Sequence, residues 1–329
     1  MAGKKLIELR HVSKLFKVGG GLGLSSRGFI KAVDDVSFDL PAEEPNMTAL
    51  VGESGSGKST IARMILGLID STSGEIFYKD KNIKTILEKD PKTYRREVQG
   101  IFQDPYSVYN PFYRVERILQ LAVRKFNLAS KRDDETKLIN ETLKAIGLRP
   151  EDIIGRYPHQ LSGGERQRLM LARILILKPN LIVADEPVSM LDASLRAVFL
   201  DILKTFKNKL GISCIYITHD LNIANYASDR IMVLCRGNII EKGDSKALVK
   251  EPLHPYAKLL VQSIPIPDPN KRWSDKLEFK VANLAETQST ADACVFCPRC
   301  PYAMDICAKE KPSMKDHGTN HDVACFLYK

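Results

Sequence analysis

A glycine-rich run, Gly52-Glu-Ser-Gly-Ser-Gly-Lys58-Ser59, holds the first residues whose types and spacing can do chemistry. It matches the phosphate-loop pattern G-x-x-x-x-G-K-[ST] and follows the apolar run Met47–Val51, which has the composition of a strand. Glycines let a backbone wrap closely around an anion, because no Cβ intrudes. We predict that Lys58 reaches the terminal phosphates of a nucleotide and that Ser59 ligates Mg²⁺. The predicted phosphate-binding residues are Gly52, Ser54, Gly55, Ser56, Gly57, Lys58, Ser59 and Thr60.

Apolar residues recur at helical spacing after this run, at Ile61, Ile65, Leu68 and Ile69. The loop is therefore predicted to end at a helix N-terminus, where partial positive charge and unpaired N–H groups favour an anion. The alternative is a glycine-rich turn that contains Lys and Ser by chance. A strand before the loop and a helix after it are the context that the phosphate-loop interpretation requires.

Two further strand-like runs end in residues that can complete such a site. Leu181–Ala184 is followed by Asp185 and Glu186, and Cys214–Thr218 is followed by His219. A carboxylate at a strand end can hold Mg²⁺, which we assign to Asp185, and Glu186 would then polarise the attacking water as general base. Open α/β sheets place ligands at the carboxyl ends of their strands, so His219 is predicted to sense the γ-phosphate. Each feature alone would more simply be an acidic strand end or a structural histidine.

The run Leu161-Ser-Gly-Gly-Glu165 opens another predicted helix. Ser162 is a good N-cap, and Glu165 follows at capping-box spacing. The helix is predicted from Arg166 through Leu177, before Lys178-Pro179. Its start is an anion site in a chain that already has a phosphate loop, so we interpret it as an element that acts on a second subunit's nucleotide. The alternative is a capped helix and nothing more.

Together these motifs resemble those of the ATP-binding subunits of ABC transporters, over residues 1 to about 265. The resemblance implies an α/β fold: a P-loop NTPase core of the RecA-like type, an antiparallel β subdomain, and a helical subdomain at about residues 105–170. It implies that ATP and Mg²⁺ are bound. It also implies that Ser162, Gly163, Gly164 and Glu165 form the signature motif, which completes an ATP site on a second subunit.

The resemblance assigns roles to other residues. Phe16 would stack on adenine, and Asp192 would belong to the D-loop, where Met190 stands in place of the commoner Ala. Gln103 would ligate Mg²⁺ and link the site to membrane subunits. The catalytic residues implied in this way are Glu186, His219 and Gln103. The Gly/Ser-rich composition of Gly19–Gly28 separately predicts a mobile loop near the nucleotide, and Asp104–Pro111 is the candidate for part of the contact with the membrane subunits.

The C-terminal part, residues 266–329, is predicted to be a small cysteine-rich extension after a proline-rich linker at Ile264–Asn270. The segment His254-Pro-Tyr and the run Cys294-Val-Phe-Cys-Pro-Arg-Cys-Pro301 resemble the oligopeptide/dipeptide importer branch. Some members of that branch carry a [4Fe–4S] cluster. The implied ligands are Cys294, Cys300, Cys307 and Cys325, with Cys297 as a substitute.

Two alternatives to the cluster stay open. One is a Zn²⁺ site that uses His317 or His321, and the other is a set of thiols without metal. Disulfides are disfavoured by the expected cytoplasmic location. The remaining cysteines, Cys214 and Cys235, lie in apolar runs and are predicted to be packing residues.

Composition limits the function classes. The chain has 329 residues, is 44% hydrophobic and carries a net charge of +9. The charges are scattered without interleaved aromatics, so no nucleic-acid partner is expected. The sequence has no apolar run of about eighteen residues and no apolar signal-peptide core, so a peripheral place on the cytoplasmic face of the cell membrane is expected.

The predicted function is the ATP-hydrolysing motor of an ABC importer for oligopeptides or dipeptides, with oligosaccharides or nickel as other cargoes of the same branch. Its expected partners are a second ABC ATPase subunit, taken to be a paralogue, two transmembrane permease subunits and an extracytoplasmic substrate-binding protein. The alternative is a soluble ABC ATPase in a nucleic-acid or phosphonate-metabolism complex.

Overall fold

The computed structural model describes residues 4–18, 28–103, 109–263, 293–318 and 320–328. Three predicted features fall wholly or partly outside this range: the loop at Gly19–Gly28, the proposed membrane contact at Asp104–Pro111, and the linker at Ile264–Asn270.

Strands and helices alternate along the chain. The strands are β1 (Lys5–Val18), β2 (Gly28–Pro41), β3 (Met47–Val51), β4 (Ser73–Tyr78), β5 (Lys81–Asn82), β6 (Val98–Ile101), β7 (Leu181–Asp185), β8 (Ser213–Thr218), β9 (Arg230–Cys235), β10 (Asn238–Asp244), β11 (Lys315–Asp316) and β12 (Asp322–Val323). The helices are α1 (Lys58–Ile65), α2 (Ile83–Lys89), α3 (Pro91–Glu97), α4 (Arg117–Lys125), α5 (Arg132–Ala145), α6 (Pro150–Ile153), α7 (Gly163–Leu175), α8 (Ala193–Leu210), α9 (Leu221–Ala227), α10 (Ser245–Lys250) and α11 (Pro255–Gln262).

The core is an eight-stranded sheet in the order β11-β12-β10-β9-β3-β8-β7-β6. Strands β9, β3, β8, β7 and β6 pair in parallel, whereas β9, β10, β12 and β11 pair antiparallel. Every residue of β3 and β8 is buried, which explains their continuous apolar runs. The predicted α/β class is confirmed.

The two faces of this sheet are buried by different layers. On β7, Ile182 and Ala184 pack with the helical segment, while Leu181 and Val183 pack with α1 and the second sheet. The alternation follows from the two-residue side-chain period of a strand. That second sheet is antiparallel, with four strands in the order β2-β1-β4-β5, as predicted for the β subdomain.

Helices α4 to α7 lie between β6 and β7 in the chain, where a helical segment was predicted. Among the described residues, none of these or the other helices has the length and apolarity needed to span a bilayer. Two boundaries differ from prediction. Helix α1 ends at Ile65, so Leu68 falls beyond it and is exposed, and α7 ends at Leu175 instead of Leu177.

The last described residues, 293–318 and 320–328, hold two short 3₁₀ turns and the strands β11 and β12. Strand β12 pairs with β10, so this part of the chain extends the core sheet. A buried contact fixes it further: His321 Nε2 lies 2.7 Å from Oε1 of Glu241, a carboxylate with no exposed surface. We call residues 293–318 and 320–328 the cysteine tail.

Candidate active site

Four segments that carry predicted site residues follow the carboxyl ends of parallel strands. The glycine-rich loop follows β3, Gln103 follows β6, Glu186 follows β7 and His219 follows β8. Because β6, β7, β8 and β3 are parallel neighbours, these segments emerge at one edge of the core sheet. We call this set of segments the phosphate edge.

The loop after β3 requires glycine at Gly57, the N-cap residue of α1. Its φ is 102°, in the left-handed region, and a Cβ there would lie 2.2 Å from the Ala32 carbonyl oxygen of β2. At Gly52 a Cβ would lie 2.2 Å from the Leu234 carbonyl oxygen. The loop is therefore enclosed by backbone from β2 and β9, which fixes its path into the helix.

The Lys58 side chain folds back against the loop. Its ammonium donates to the carbonyl oxygens of Gly52 and Glu53, at 2.8 Å each, and to Ser56 Oγ at 3.3 Å. Burial lowers the pKa of Lys58, while the carboxylates of Glu186, Asp185 and Glu53 act against that shift. The charge is thus held at the loop, where the phosphate interpretation requires it.

Ser59 and Asp185, two of the three residues predicted to ligate Mg²⁺, are in contact. Ser59 Oγ donates to Asp185 Oδ1 at 3.0 Å. Burial raises the pKa of Asp185, and the neighbouring Glu186 adds to the rise, whereas the Ser59 hydrogen bond opposes it. A hydroxyl and a carboxylate oxygen are ligand types that Mg²⁺ prefers.

Glu186 is aimed at His219. Glu186 has a φ of 46°, a left-handed conformation that costs a non-glycine residue about 1–2 kcal/mol. Its N–H donates to Ile217 O at 3.0 Å, and its carbonyl accepts from Ser189 Oγ at 3.0 Å, so both sides of the residue are fixed. Glu186 Oε1 then lies 3.1 Å from His219 Nδ1.

A cavity of about 50 Å³ adjoins this pair and is lined by Glu186, His219, Tyr216 and Thr218, among others. That volume is large enough to hold a water molecule. The arrangement provides a carboxylate beside a water-sized space, with an imidazole held at hydrogen-bonding distance, which is suited to general base chemistry.

The positions of Phe16 and Gln103 relative to the phosphate edge follow from strand pairing, not from side-chain contacts. Phe16 lies on β1, 39% exposed, with the Lys14 ammonium 5.3 Å from its ring centroid. It pairs with Ile30 on β2, two residues from Ala32, where β2 approaches the loop. Gln103 is exposed and follows β6, which pairs with β7 in register Ile101 to Ala184.

The helix start at Ser162 has the predicted capping box. The Ser162 N–H and hydroxyl both donate to the Glu165 carboxylate at 2.8 Å, and Glu165 N–H donates to Ser162 Oγ at 3.3 Å. These bonds from Ser162, backbone first, lower the pKa of Glu165. Gly164 is buried against Leu195, whose Cδ2 would lie 2.8 Å from an added Cβ. The capping role is confirmed by this geometry.

Asp192 also caps a helix. Its Oδ1 accepts from the Leu195 N–H at 3.0 Å and from Ser194 Oγ at 2.8 Å, at the start of α8. These bonds, the backbone one first, lower the pKa of Asp192. Met190, two residues earlier, is exposed.

Comparison with known proteins places this geometry in a family. A model of ABC transporters matches residues 33–189, and a model of the C-terminal region of oligopeptide/dipeptide transporters matches residues 240–307. The putative oligopeptide transport ATP-binding protein YkfD of Bacillus subtilis is 40% identical over 98% of this chain and 96% of its own length. The chain belongs to the ABC transporter ATP-binding family. Members of this family hydrolyse ATP, and the chain is an ATPase.

Further relatives agree with this assignment. The oligopeptide transport ATP-binding protein OppF of Haemophilus influenzae is 37% identical over 97% of this chain and 96% of its own length. Among solved structures, the ATP-binding cassette MJ0796, a dimer bound to ADP and Pi, matches with a TM-score of 0.61. It is 27% identical and covers 73% of this chain and 98% of its own. The ATPase fold predicted from the motifs is confirmed.

The cysteine tail of this ATPase gathers its thiols around one small space. A cavity of about 10 Å³ is lined by Cys294, Cys297, Cys300, Cys307 and Cys325, with His254 and Phe296. All seven cysteines lie in described parts of the chain, and none forms a disulfide. Burial raises the pKa of Cys294 to about 11 and also raises that of Cys325.

These thiols do not form a ready metal site. Within the described residues, no three His, Cys, Asp or Glu side chains stand in an arrangement that could hold a metal ion. The two histidines named as alternative zinc ligands have other contacts. His321 is hydrogen-bonded to Glu241, and the His317 ring packs edge-on against Tyr328. Cys214 and Cys235 are buried in β8 and β9, as predicted for packing residues, and burial raises the pKa of each to about 12.

Three residues at the loop were not among the predicted site residues: Glu53, Tyr256 and Arg299. Glu53 occupies a variable position of the phosphate-loop pattern, and the other two lie in segments that indicate only the family. The Glu53 N–H donates to Tyr256 Oη at 2.8 Å, and its carboxylate accepts both terminal nitrogens of Arg299. An acidic residue inside an anion-binding loop was the available signal, since such a charge needs a partner.

Proposed function

We propose that this chain is the motor subunit of an ABC importer that takes up oligopeptides or dipeptides. One observation carries the proposal: Ser59 meets Asp185, and Glu186 meets His219, at the same sheet edge. Oligopeptides are proposed as the cargo because relatives that match nearly the whole chain are oligopeptide transport ATP-binding proteins. The same branch resemblance keeps oligosaccharides and nickel as competing cargoes.

In this proposal each residue of the phosphate edge has a role. Residues 52–60 bind the phosphates, Ser59, Asp185 and Gln103 ligate Mg²⁺, and Phe16 stacks on adenine. Glu186 acts as the general base toward water, and His219 responds to the γ-phosphate. The contacts between Ser59 and Asp185, and between Glu186 and His219, support these assignments.

The second ATP-binding element, the start of α7, would act on a partner. We propose that Ser162, Gly163, Gly164, Glu165 and Asp192 complete the ATP site of a second ABC ATPase subunit, a paralogue of this chain. Support comes from the capped, outward-lying helix start and from MJ0796, which forms a dimer. Two permease subunits and an extracytoplasmic binding protein would complete the importer, with this chain peripheral on the cytoplasmic face.

Reconstitution tests the importer proposal. The chain would be co-expressed with candidate permease and partner ATPase subunits and placed in proteoliposomes with a candidate binding protein. Peptide-loaded binding protein should stimulate ATP hydrolysis and peptide uptake, whereas maltooligosaccharides or Ni²⁺ should not. Stimulation by either of those, but not by peptide, would replace the cargo. Stimulation by nucleic acid without permeases would instead favour a soluble ATPase.

We also propose that the cysteine tail takes up a [4Fe–4S] cluster, held by Cys294, Cys300, Cys307 and Cys325, with Cys297 as a substitute. The donor set supports this, because five thiols converge on one enclosed space without disulfides. The support lies in that chemistry and not in a preformed metal site. Such a cluster supplies a thiolate-bound iron centre.

Anaerobic purification tests the metal. Iron and sulfide should be present in stoichiometric amounts, with a broad absorbance at about 400 nm that bleaches on reduction. Cys307→Ser should lose the iron, while Cys235→Ser, in β9, should keep it. A colourless protein with stoichiometric zinc would support the zinc alternative, and a metal-free protein would leave only thiols.

A further inference from the structure

We propose that Arg299 of the cysteine tail is a positioning residue for ATP, acting through Glu53 by neutralising the carboxylate inside the phosphate loop. The proposal requires only that the chain binds ATP. It needs neither the importer, nor a particular cargo, nor a metal in the tail, and it would survive the failure of each of them.

The contact is a bidentate ion pair between residues that are far apart in the sequence. Arg299 Nη1 lies 2.9 Å from Glu53 Oε2, and Arg299 Nη2 lies 3.0 Å from Glu53 Oε1, across a separation of 246 residues. The planar guanidinium matches a carboxylate in this geometry and gives charge-assisted hydrogen bonds. The pair is partly exposed, so its effect is expected to be modest and not absolute.

Glu53 is directly connected to the residue predicted to hold the phosphates. Its carbonyl oxygen accepts from Lys58 Nζ at 2.8 Å, and the charge of its carboxylate acts on Lys58. Without a counter-charge, that carboxylate would repel the triphosphate of an incoming ATP and compete with it for the lysine. Arg299 supplies the counter-charge.

The turn that carries Arg299 and the loop that carries Glu53 both contact helix α11. It spans Cys297–Arg299, directly after Phe296, whose ring packs against Tyr256 at 5.3 Å between centroids. Tyr256, on α11, accepts the Glu53 N–H at 2.8 Å. The arginine is therefore preorganised toward the loop, because both partners are anchored on one residue of α11.

Calorimetric titration of the full chain with Mg-ATP tests the proposal. Arg299→Gln should raise the Kd about three- to fivefold, the upper range for a partly exposed pair. The matched control is Lys311→Gln, which removes another ion pair between the cysteine tail and the rest of the chain, Lys311 with Asp34 at 3.2 Å. Its Kd should stay within about twofold of the wild type. Urea unfolding of both variants reports their stability.

The double variant Glu53→Gln/Arg299→Gln separates charge neutralisation from a looser tail. It removes the carboxylate that Arg299 neutralises, so its Kd should return to within about twofold of the wild type. A double variant as weak as Arg299→Gln, or an equal loss in Lys311→Gln, would overturn the proposal. So would an unchanged Kd in Arg299→Gln. If Arg299→Gln does not fold, Glu53→Gln alone decides: its Kd should not rise, and a rise refutes neutralisation.

Discussion

The phosphate edge and the cysteine tail are both marked by dense motifs, yet the fold treats them differently. At the phosphate edge, residues far apart in sequence meet in pairs, with Ser59 Oγ 3.0 Å from Asp185 Oδ1 and Glu186 Oε1 3.1 Å from His219 Nδ1. In the tail, five cysteines converge on one space, but within the described residues no three potential ligands are arranged to hold a metal.

The difference lies in what positions the side chains. Parallel neighbouring strands bring their carboxyl ends to one edge of a sheet, so the strand assignments themselves imply the contacts of the phosphate edge. The thiols of the tail stand on turns and loops, and the strands that the described tail contains, β11 and β12, are only two residues long and carry none of them. The sequence of such a segment shows which metal-ligating side chains are present, but their spacing does not predict how they are arranged in space.

Replacement of the proposed general base has the largest expected effect and tests the phosphate edge directly. Glu186→Gln should lower ATP turnover by about 10²- to 10⁴-fold, because the amide cannot accept a proton from water. ATP binding should be retained, since the loop is untouched, and size-exclusion chromatography should show an ATP-dependent dimer with the proposed partner ATPase. Glu88→Gln, on the exposed face of α2, is the control with unchanged turnover. Normal turnover in Glu186→Gln would refute the assignment.

Glycine substitutions distinguish a loop that requires glycine from a turn that merely prefers it. Gly57→Ala should abolish ATP binding and lower the free energy of unfolding by more than about 2 kcal/mol, because φ is 102° and the new Cβ would meet the Ala32 carbonyl at 2.2 Å. Gly147→Ala is matched in backbone strain, with φ of 73°, but has open space around it. It should cost about 1 kcal/mol with ATP binding intact. Equal costs for both would contradict the enclosed loop.

Much of the phosphate edge could be predicted from residue types alone. The strand–loop–helix order at Gly52 to Ser59, the acidic strand end at Asp185 and the capping box at Ser162 each depend on local rules, and the structure reproduces their local geometry. The end of α1 was not predicted correctly, because Leu68 and Ile69 continue the helical spacing after the chain has turned at Gly67, which has a φ of 65°.

Contacts between distant segments could not be predicted. Nothing local to Glu53 indicates an arginine 246 residues away, and nothing in the run around Cys294 indicates that β12 pairs with β10. Such contacts depend on the tertiary path of the chain. The site residues missed at the sequence level, Tyr256 and Arg299, belong to this class, whereas the missed Glu53 lay inside a predicted motif.

Removal of the α7 cap has a smaller expected effect and tests whether this helix start does more than close a helix. Ser162→Ala should cost about 1 kcal/mol in the free energy of unfolding. It should also lower ATP turnover with the proposed partner ATPase about tenfold, the value of the one hydrogen bond to a charged phosphate that the proposal gives Ser162. Asp244→Ala removes the cap of α10 in the same way, through the N–H groups of Lys246 and Ala247. It should cost similar stability without a change in turnover. Equal turnover in both variants would reduce Ser162 to a structural cap.

The smallest effect concerns His254, where the tail packs on α11. Burial lowers the pKa of His254 to about 3, and its Nδ1 accepts the Tyr256 N–H at 3.0 Å, so the folded protein holds it neutral. In the unfolded chain it protonates near pH 6.5. The stability gained by holding His254 neutral is therefore fully present above pH 6.5. As the pH falls from 6.5 toward 3, the free energy of unfolding drops by about 1 kcal/mol per pH unit. Urea unfolding at pH 6.5 and 5.5 should show this slope in the wild type.

A matched pair of histidine variants isolates that slope. His254→Asn keeps a side chain that can cap α11 but cannot take up a proton, so its stability should vary less between the two pH values. His159→Asn replaces another histidine, which is exposed on the protein surface, and should keep the wild-type slope. If His254→Asn kept the full slope, the pH dependence would come from other groups. The packing of Phe296 on His254 would then stabilise the tail by apolar contact alone, without any contribution from the protonation state of the ring.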